Sequence, residues 1–161
     1  MYGNDKRKPI GGIASCALYP ADAARISAVT RQGCKVTFNK APYEFELFDE
    51  HSSLSEQMVA ENGILKVTHR LTLVADRNLA SAWLEAPFTN QAIDKGLVAE
   101  VTLTDGRHLL VGWSHRFQAE QPLRLSSLRS DSGTRANETP TLTLTLESRD
   151  NTFAMPVIQE S

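Results

Sequence analysis

Two runs of alternating apolar and polar residues, LVAEVTL and HLLVGWS, flank Thr104-Asp105-Gly106-Arg107 and make residues 97–114 the clearest pattern in the chain. An Asp-Gly between such runs predicts a tight β-hairpin, because glycine accepts positive φ without a Cβ clash. The faces decide the loop length. A two-residue loop would put Leu97, Ala99, Val101 and Leu103 on the sheet face opposite Leu109, Val111 and Trp113. A three-residue loop, Thr104-Asp105-Gly106, shifts the register by one and brings both sets to one face. It pairs Val101 with Leu109, Ala99 with Val111 and Leu97 with Trp113, with Gly106 at the left-handed position of a G1 bulge. Glu100, Thr102, His108 and Ser114 then line the other face, where Val98 and Leu110 are the apolar exceptions.

Period two recurs along the chain. Residues 13–19 predict a first strand stopped by Pro20, and residues 21–28 fit either a helical turn or a strand. After Gly33, Val36 and Phe38 alternate with Lys35 and Thr37. After Pro42, Tyr43, Phe45 and Leu47 alternate with Glu44 and Glu46, the pattern of a half-buried strand with a charged outer face. Residues 64–75 set Leu65, Val67, His69, Leu71 and Leu73 against Lys66, Thr68, Arg70 and Thr72. That run exceeds the usual strand of about five or six residues, so it is expected to bend or to project beyond its sheet. PLRL at 122–125 predicts a short strand, and residues 141–147 give the cleanest alternation, Leu142, Leu144 and Leu146 against Thr141, Thr143, Thr145 and Glu147.

Two stretches break the period. Ser53-Leu54-Ser55-Glu56 has capping-box spacing before Met58 and Val59, so it opens a short helix ended by Asn62-Gly63 or forms an irregular connection. Leu79, Ala82, Trp83 and Ala86 recur at spacings of three and four behind Asp76, which predicts a helix over about 76–86 ended by Pro87, with residues 88–95 as a connector. The expected fold is mainly β, α+β by count: an antiparallel β-sandwich or half-barrel with that one flanking helix. The expected organisation is a mobile N-terminal segment (1–12), a single β-rich domain (13–150) and a C-terminal tail that leaves the domain (151–161).

A chain of 161 residues builds a core without covalent staples, and 41% apolar with 22% charged residues is ordinary for a globular domain. A net charge of −2 makes no electrostatic case for nucleic acid or anionic membranes as partners. No run approaches the ~20 apolar residues of a membrane-spanning helix. Cys16 and Cys34 stand outside any CxxC spacing, which predicts reduced, partly buried thiols. Lys6, Arg7 and Lys8 precede Ile13-Ala14-Ser15-Cys16, formally a bacterial lipobox. The intervening apolar run holds Gly11 and Gly12 and falls short of the about 7–15 residues an export signal needs. The expected location is the cytoplasm.

Residues that imitate catalytic motifs carry other readings. Asp131-Ser132-Gly133-Thr134 matches the Asp-[Thr/Ser]-Gly of aspartic proteases but lacks the apolar strand that holds their paired carboxylates, so a turn is expected. Gly112-Trp113-Ser114-His115-Arg116 has Arg where a nucleophile elbow needs Gly. His51, His69, His108 and His115 form no i, i+4 ligand pair, and His69 on its apolar face predicts a hydrogen-bonded core histidine. Asn137-Glu138-Thr139 is a sequon followed by Pro140 in a chain without an evident secretion signal. No catalytic, metal-binding or cofactor-binding set is expected. Residues 128–140 instead form a long connection without a large apolar side chain from Ser130 on, and such a connection is mobile or functional.

The second half reads as KVTHRLTLVAD, RNLASAWLEA, LVAEVTLTDGRHLLVGWS, PLRLSS, the polar loop and TLTLTLES. This order over roughly residues 60–150 resembles the small β-rich structural proteins of phage and prophage tails, those of the tail tube or tail terminus in particular. The N-terminal third does not follow that pattern. The resemblance implies a sandwich or half-barrel with one helix that assembles into rings, often hexamers, through sheet edges and extended loops. On it, the chain is a non-enzymatic structural subunit whose partners are copies of itself and other tail proteins, in the cytoplasm or as a virion component. The loop residues Arg129, Asp131, Ser132, Gly133, Thr134, Arg135, Asn137 and Glu138 would then serve assembly. The alternative is a monomeric β-barrel or sandwich module that binds a small ligand or protein partner in a cavity lined by Trp113 and Leu146.

Overall fold

Leucine and valine at every second position commit most of this chain to strands, and the arrangement of those strands is seen in a computed structural model. It describes residues 12–43, 45–47, 52–78, 80–114, 119–132, 139–150 and 153–158. In chain order the elements are β1 (Ile13–Pro20), a 3-10 turn (Ala21–Ala23), β2 (Ala24–Thr30), β3 (Gly33–Phe38), β4 (Ser53–Glu61), β5 (Ile64–Asp76), a second 3-10 turn (Ser81–Leu84) and α1 (Ala86–Ile93). They continue with β6 (Leu97–Leu103), β7 (His108–Val111), β8 (Trp113–Ser114), β9 (Ala119–Glu120), β10 (Arg124–Asp131), β11 (Thr141–Asp150) and β12 (Met155–Pro156).

Two four-stranded antiparallel sheets, ordered β1-β6-β7-β12 and β10-β11-β5-β4, lie face to face. Between them Leu71, Leu73 and Ala75 of β5 and Leu142, Leu144 and Leu146 of β11 meet Leu18, Leu97, Ala99, Val101 and Val111, while Trp83 and Phe88 fill the helix side. The protein is therefore mainly β, a sandwich with one α-helix, and no described sheet closes into a barrel. The first sheet is apolar on both faces. Val98 and Leu110 pack outward with Cys34 and Met155 under the β2–β3 hairpin, whose Ile26, Val36 and Phe38 form a third layer. This accounts for the two apolar exceptions on the outer face of 97–114.

The three-residue hairpin loop is present. Ala99 pairs with Val111 and Val101 with Leu109, Gly106 N–H donates to Leu103 O, Leu103 N–H donates to Arg107 O, and Gly106 has φ +93°. The third expected pair, Leu97 with Trp113, does not form. Gly112 has φ +108°, and a Cβ there would lie 2.9 Å from Leu97 O, so the chain turns at this glycine and Trp113 pairs with Glu120 instead.

Four expectations are corrected. The helix is not at 76–86: residues 81–84 make one 3-10 turn and α1 starts at Ala86, with Pro87 in its first turn, where the missing N–H is no loss. Residues 53–61 are neither helix nor irregular connection but strand β4, paired along its whole length with β5. Of the tail expected at 151–161, the described residues 153–158 do not leave the domain: Met155 pairs with Leu110, and Ile158 N–H donates to Cys34 O. The strand expected from Tyr43 to Leu47 is reduced to isolated bridges, Tyr43 to Leu18 and Leu47 to Ala75, although Tyr43, Phe45 and Leu47 do pack on the core as their alternation requires. The short strand at 122–125 extends as β10 to Asp131. Residues 21–28 divide into a 3-10 turn and the start of β2. The mobile segment expected at 1–12 lies, except for Gly12, outside the described residues.

Cys16 and Cys34 are both free thiols. Burial, then the nearby Glu100 carboxylate, pushes both above the ordinary thiol range. The native protein is accordingly expected to resist a maleimide at pH 7–8 and to expose both thiols only in denaturant. Rapid native labelling of Cys34, read by mass spectrometry, would contradict that packing.

Candidate self-association surface

The second sheet ends on β4 at one side and β10 at the other, and among the described residues no strand lies beyond either. Proteins that must remain single guard such edges with lysine, proline, bulges or shortness. β10 has one guard, a bulge between Leu125 and Ser127. β4 has no Pro, Gly or Lys in its nine residues, SLSEQMVAE, and no bulge, keeping one unbroken register with β5 from Ser53–Thr72 to Glu61–Ile64; its one guard is the inward-pointing carboxylate of Glu56.

The β4–β5 hairpin also outruns its sheet. β11 pairs with β5 only from Val67 to Asp76, so residues 59–66 project past it from a base at the Met58–Val67 pair, as the length of the 64–75 run predicts. Met58, Val59, Ile64 and Leu65 on this overhang are between 41% and 58% exposed. Alternation divides them. Leu65 precedes the buried Val67 by two and Met58 pairs with Val67, so Met58, Ala60 and Leu65 continue the inner, core-facing side, while Val59 and Ile64 lie on the outer side with Lys66 and Glu61. The overhang is thus the core face prolonged into solvent.

At the other edge, Arg124 and Arg129 stand on the outer face of β10, paired across to Glu147 and Thr143 of β11. α1 buries Phe88 and Ala92 on the inner side and runs beside β10, and Arg124 Nε donates to Asp94 O at 3.3 Å. Ile93, the last residue of α1, is 60% exposed at that corner.

The expected assembly residues are only partly where the sequence suggests. Arg129 and Asp131 belong to strand β10 rather than to a loop, with Arg129 Nη2 3.7 Å from Asp131 Oδ2 and both exposed. Ser132 follows directly. Gly133, Thr134, Arg135, Asn137 and Glu138 lie outside the described residues. β10 ends at Asp131 and β11 begins at Thr141 beside Asp76, at the end of the sheet opposite the overhang. Sequence reasoning missed β4 as an edge, because a strand reading needs a partner and the capping-box spacing offered a local one.

The capping-box glutamate has a different task. Glu56 points inward, its Oε2 3.1 Å from Nδ1 of His69, which is 3% exposed, and the same oxygen accepts the backbone N–H of Ala154. Ser148 neighbours His69 on β11, so a Ser-His-Glu row crosses three strands. Its histidine is sealed in the sandwich, and its carboxylate is engaged in tying β4 to the segment that leads into β12. The row is a structural tie. Trp113 and Leu146 do not share a cavity: Leu146 is in the main core and Trp113 half-buried on the far side of the first sheet. Among the described residues no three His, Cys, Asp or Glu side chains converge as metal ligands, and no helix is long and apolar enough to cross a membrane. No protein-family model, curated protein or solved structure matches the chain.

Proposed function

We propose that this chain is a non-enzymatic structural subunit that self-associates through the edges of its second sheet, as a component of a phage- or prophage-like tail assembly. The observation that carries this reading is β4, a nine-residue edge strand without proline, lysine or bulge, prolonged by an apolar overhang. The tail context rests on resemblance. The element order behind it places a helix at RNLASAWLEA, where the chain makes a 3-10 turn before α1; its strands are β5, β6–β7, β10 and β11. On this reading residues 132–140 supply polar contacts to a neighbour; β10 ends at Asp131 and β11 begins at Thr141 on the rim opposite the overhang.

Light scattering across protein concentration tests the reading. Mass is expected to rise with concentration towards a defined oligomer, and a strictly monomeric species at the highest concentration would overturn it. Deleting residues 133–138 is expected to leave the unfolding midpoint of the subunit unchanged while abolishing the larger species; undiminished assembly would remove the loop from the mechanism.

A further inference from the structure

We infer that the surface receiving β4 and its overhang is the β10–α1 flank of a second copy of this chain, joined head to tail. This rests on the self-association reading above and adds the partner surface. The strand directions permit it. In a sheet of four strands with every neighbour antiparallel, the two edge strands run in opposite directions. A second copy placed beside the first in the same orientation therefore sets its β4 antiparallel to β10, and the ladder continues without a break.

Area shows that the overhang does not act alone. Four half-exposed side chains offer only a few hundred Å2, against about 800 Å2 per partner in a standard interface, so the overhang is one end of a surface that runs on along β4. The inner side then selects the occupant. If two β4 edges met about a twofold axis, Met58, Ala60 and Leu65 would lie in one extended sheet with nothing above them. Beside β10 the inner side is occupied by α1, with Ile93 exposed at its end. The registers put Arg124 level with Glu147, Arg70 and Ser55, three positions before Met58. A neighbour shifted by an even four residues, ~13 Å along the strands, keeps inner positions opposite inner positions and sets Met58 beside Leu125, at the corner where Ile93 is exposed. On the outer side Glu61, which ends β4, falls near Arg124, while Arg129 already faces Asp131 at 3.7 Å. Joins of this kind are heterologous, so they close into a ring or continue as a filament.

Two exposed-surface variants separate the possibilities. A tip variant carries Met58→Lys and Leu65→Lys; a flank variant carries Ile93→Lys and Arg129→Glu. Each is expected to melt like the parent protein and, alone, to shift the assembly midpoint at least about a hundredfold towards higher concentration. Mixed one to one, they are expected to form dimers and nothing larger, since each retains one intact surface complementary to the other's. A flank variant that dimerises by itself, or a tip variant that assembles like the parent, overturns the head-to-tail join while leaving self-association standing. A parent protein that stays monomeric throughout overturns the self-association reading itself.

Discussion

Replacing Leu144 by alanine is expected to lower the stability of the subunit by about 3–4 kcal/mol, the range for emptying a fully enclosed leucine site that collapses poorly. Leu144 is completely buried, pairs with Leu73 on one side and Leu128 on the other, and belongs to the middle of the main core. Its sheet is braced by the opposing β6, so little can move in to fill the space. Such a loss is a large part of the about 5–15 kcal/mol that keeps a domain folded. Urea unfolding followed by tryptophan fluorescence measures it, since Trp83 lies in the same core. A change under about 1 kcal/mol would show that the sandwich is not closed around β11.

A second substitution acts through the backbone. Gly96 has φ +87°, and a Cβ there would sit 2.5 Å from Pro122 Cβ and 2.9 Å from Leu123 O. Gly96→Val therefore combines an unfavourable left-handed residue with a collision against a rigid ring and a carbonyl, together about 3 kcal/mol or more. The close approach matters because it seats the corner between α1 and β6 against the start of β10. Leu97 and Leu123 exchange both backbone hydrogen bonds at 2.8 Å there, next to the Arg124–Asp94 contact. Gly63→Ala is the control, with φ +77° and nothing within 4 Å of the added carbon, and is expected to cost about 1 kcal/mol. Equal denaturation midpoints for the two variants would remove the close-approach argument.

The sandwich was legible in the sequence wherever one face of a strand is apolar and the other is not. Leu142, Leu144 and Leu146, or Leu71 and Leu73, announce both strand and side. The hairpin register was legible for the same reason, up to Gly112, where the close backbone approach to Leu97 is a tertiary fact that no local pattern carries. The helix was misplaced because Leu79, Ala82, Trp83 and Ala86 have helical spacing. In the fold, Trp83 is taken by the core through a single 3-10 turn, and Pro87, read as a stop, is a start. β4 was illegible because more than half of it is polar and, apart from the partly buried Leu54, its apolar residues are exposed. What makes it a strand is β5, and what fixes Glu56 is His69 and Ala154. Of the candidate surface, the excess length of β5 could be read in advance. The residues it leaves exposed, and the flank of α1 that would meet them, required the sheet order.

That order has a consequence for the growing chain. β11 is the last long strand to be made, yet it sits between β5 and β10, and the Leu73–Leu144 pair joins residues 71 positions apart. While ribosomal synthesis proceeds, the β4–β5 hairpin can form early and locally and its inner face can meet β1, β6 and β7 once residue 111 is made, but its β5 edge waits for residues 141–150. Domain closure is thus a late, long-range event, slow by its separation in sequence and exposed to aggregation until the final leucines arrive.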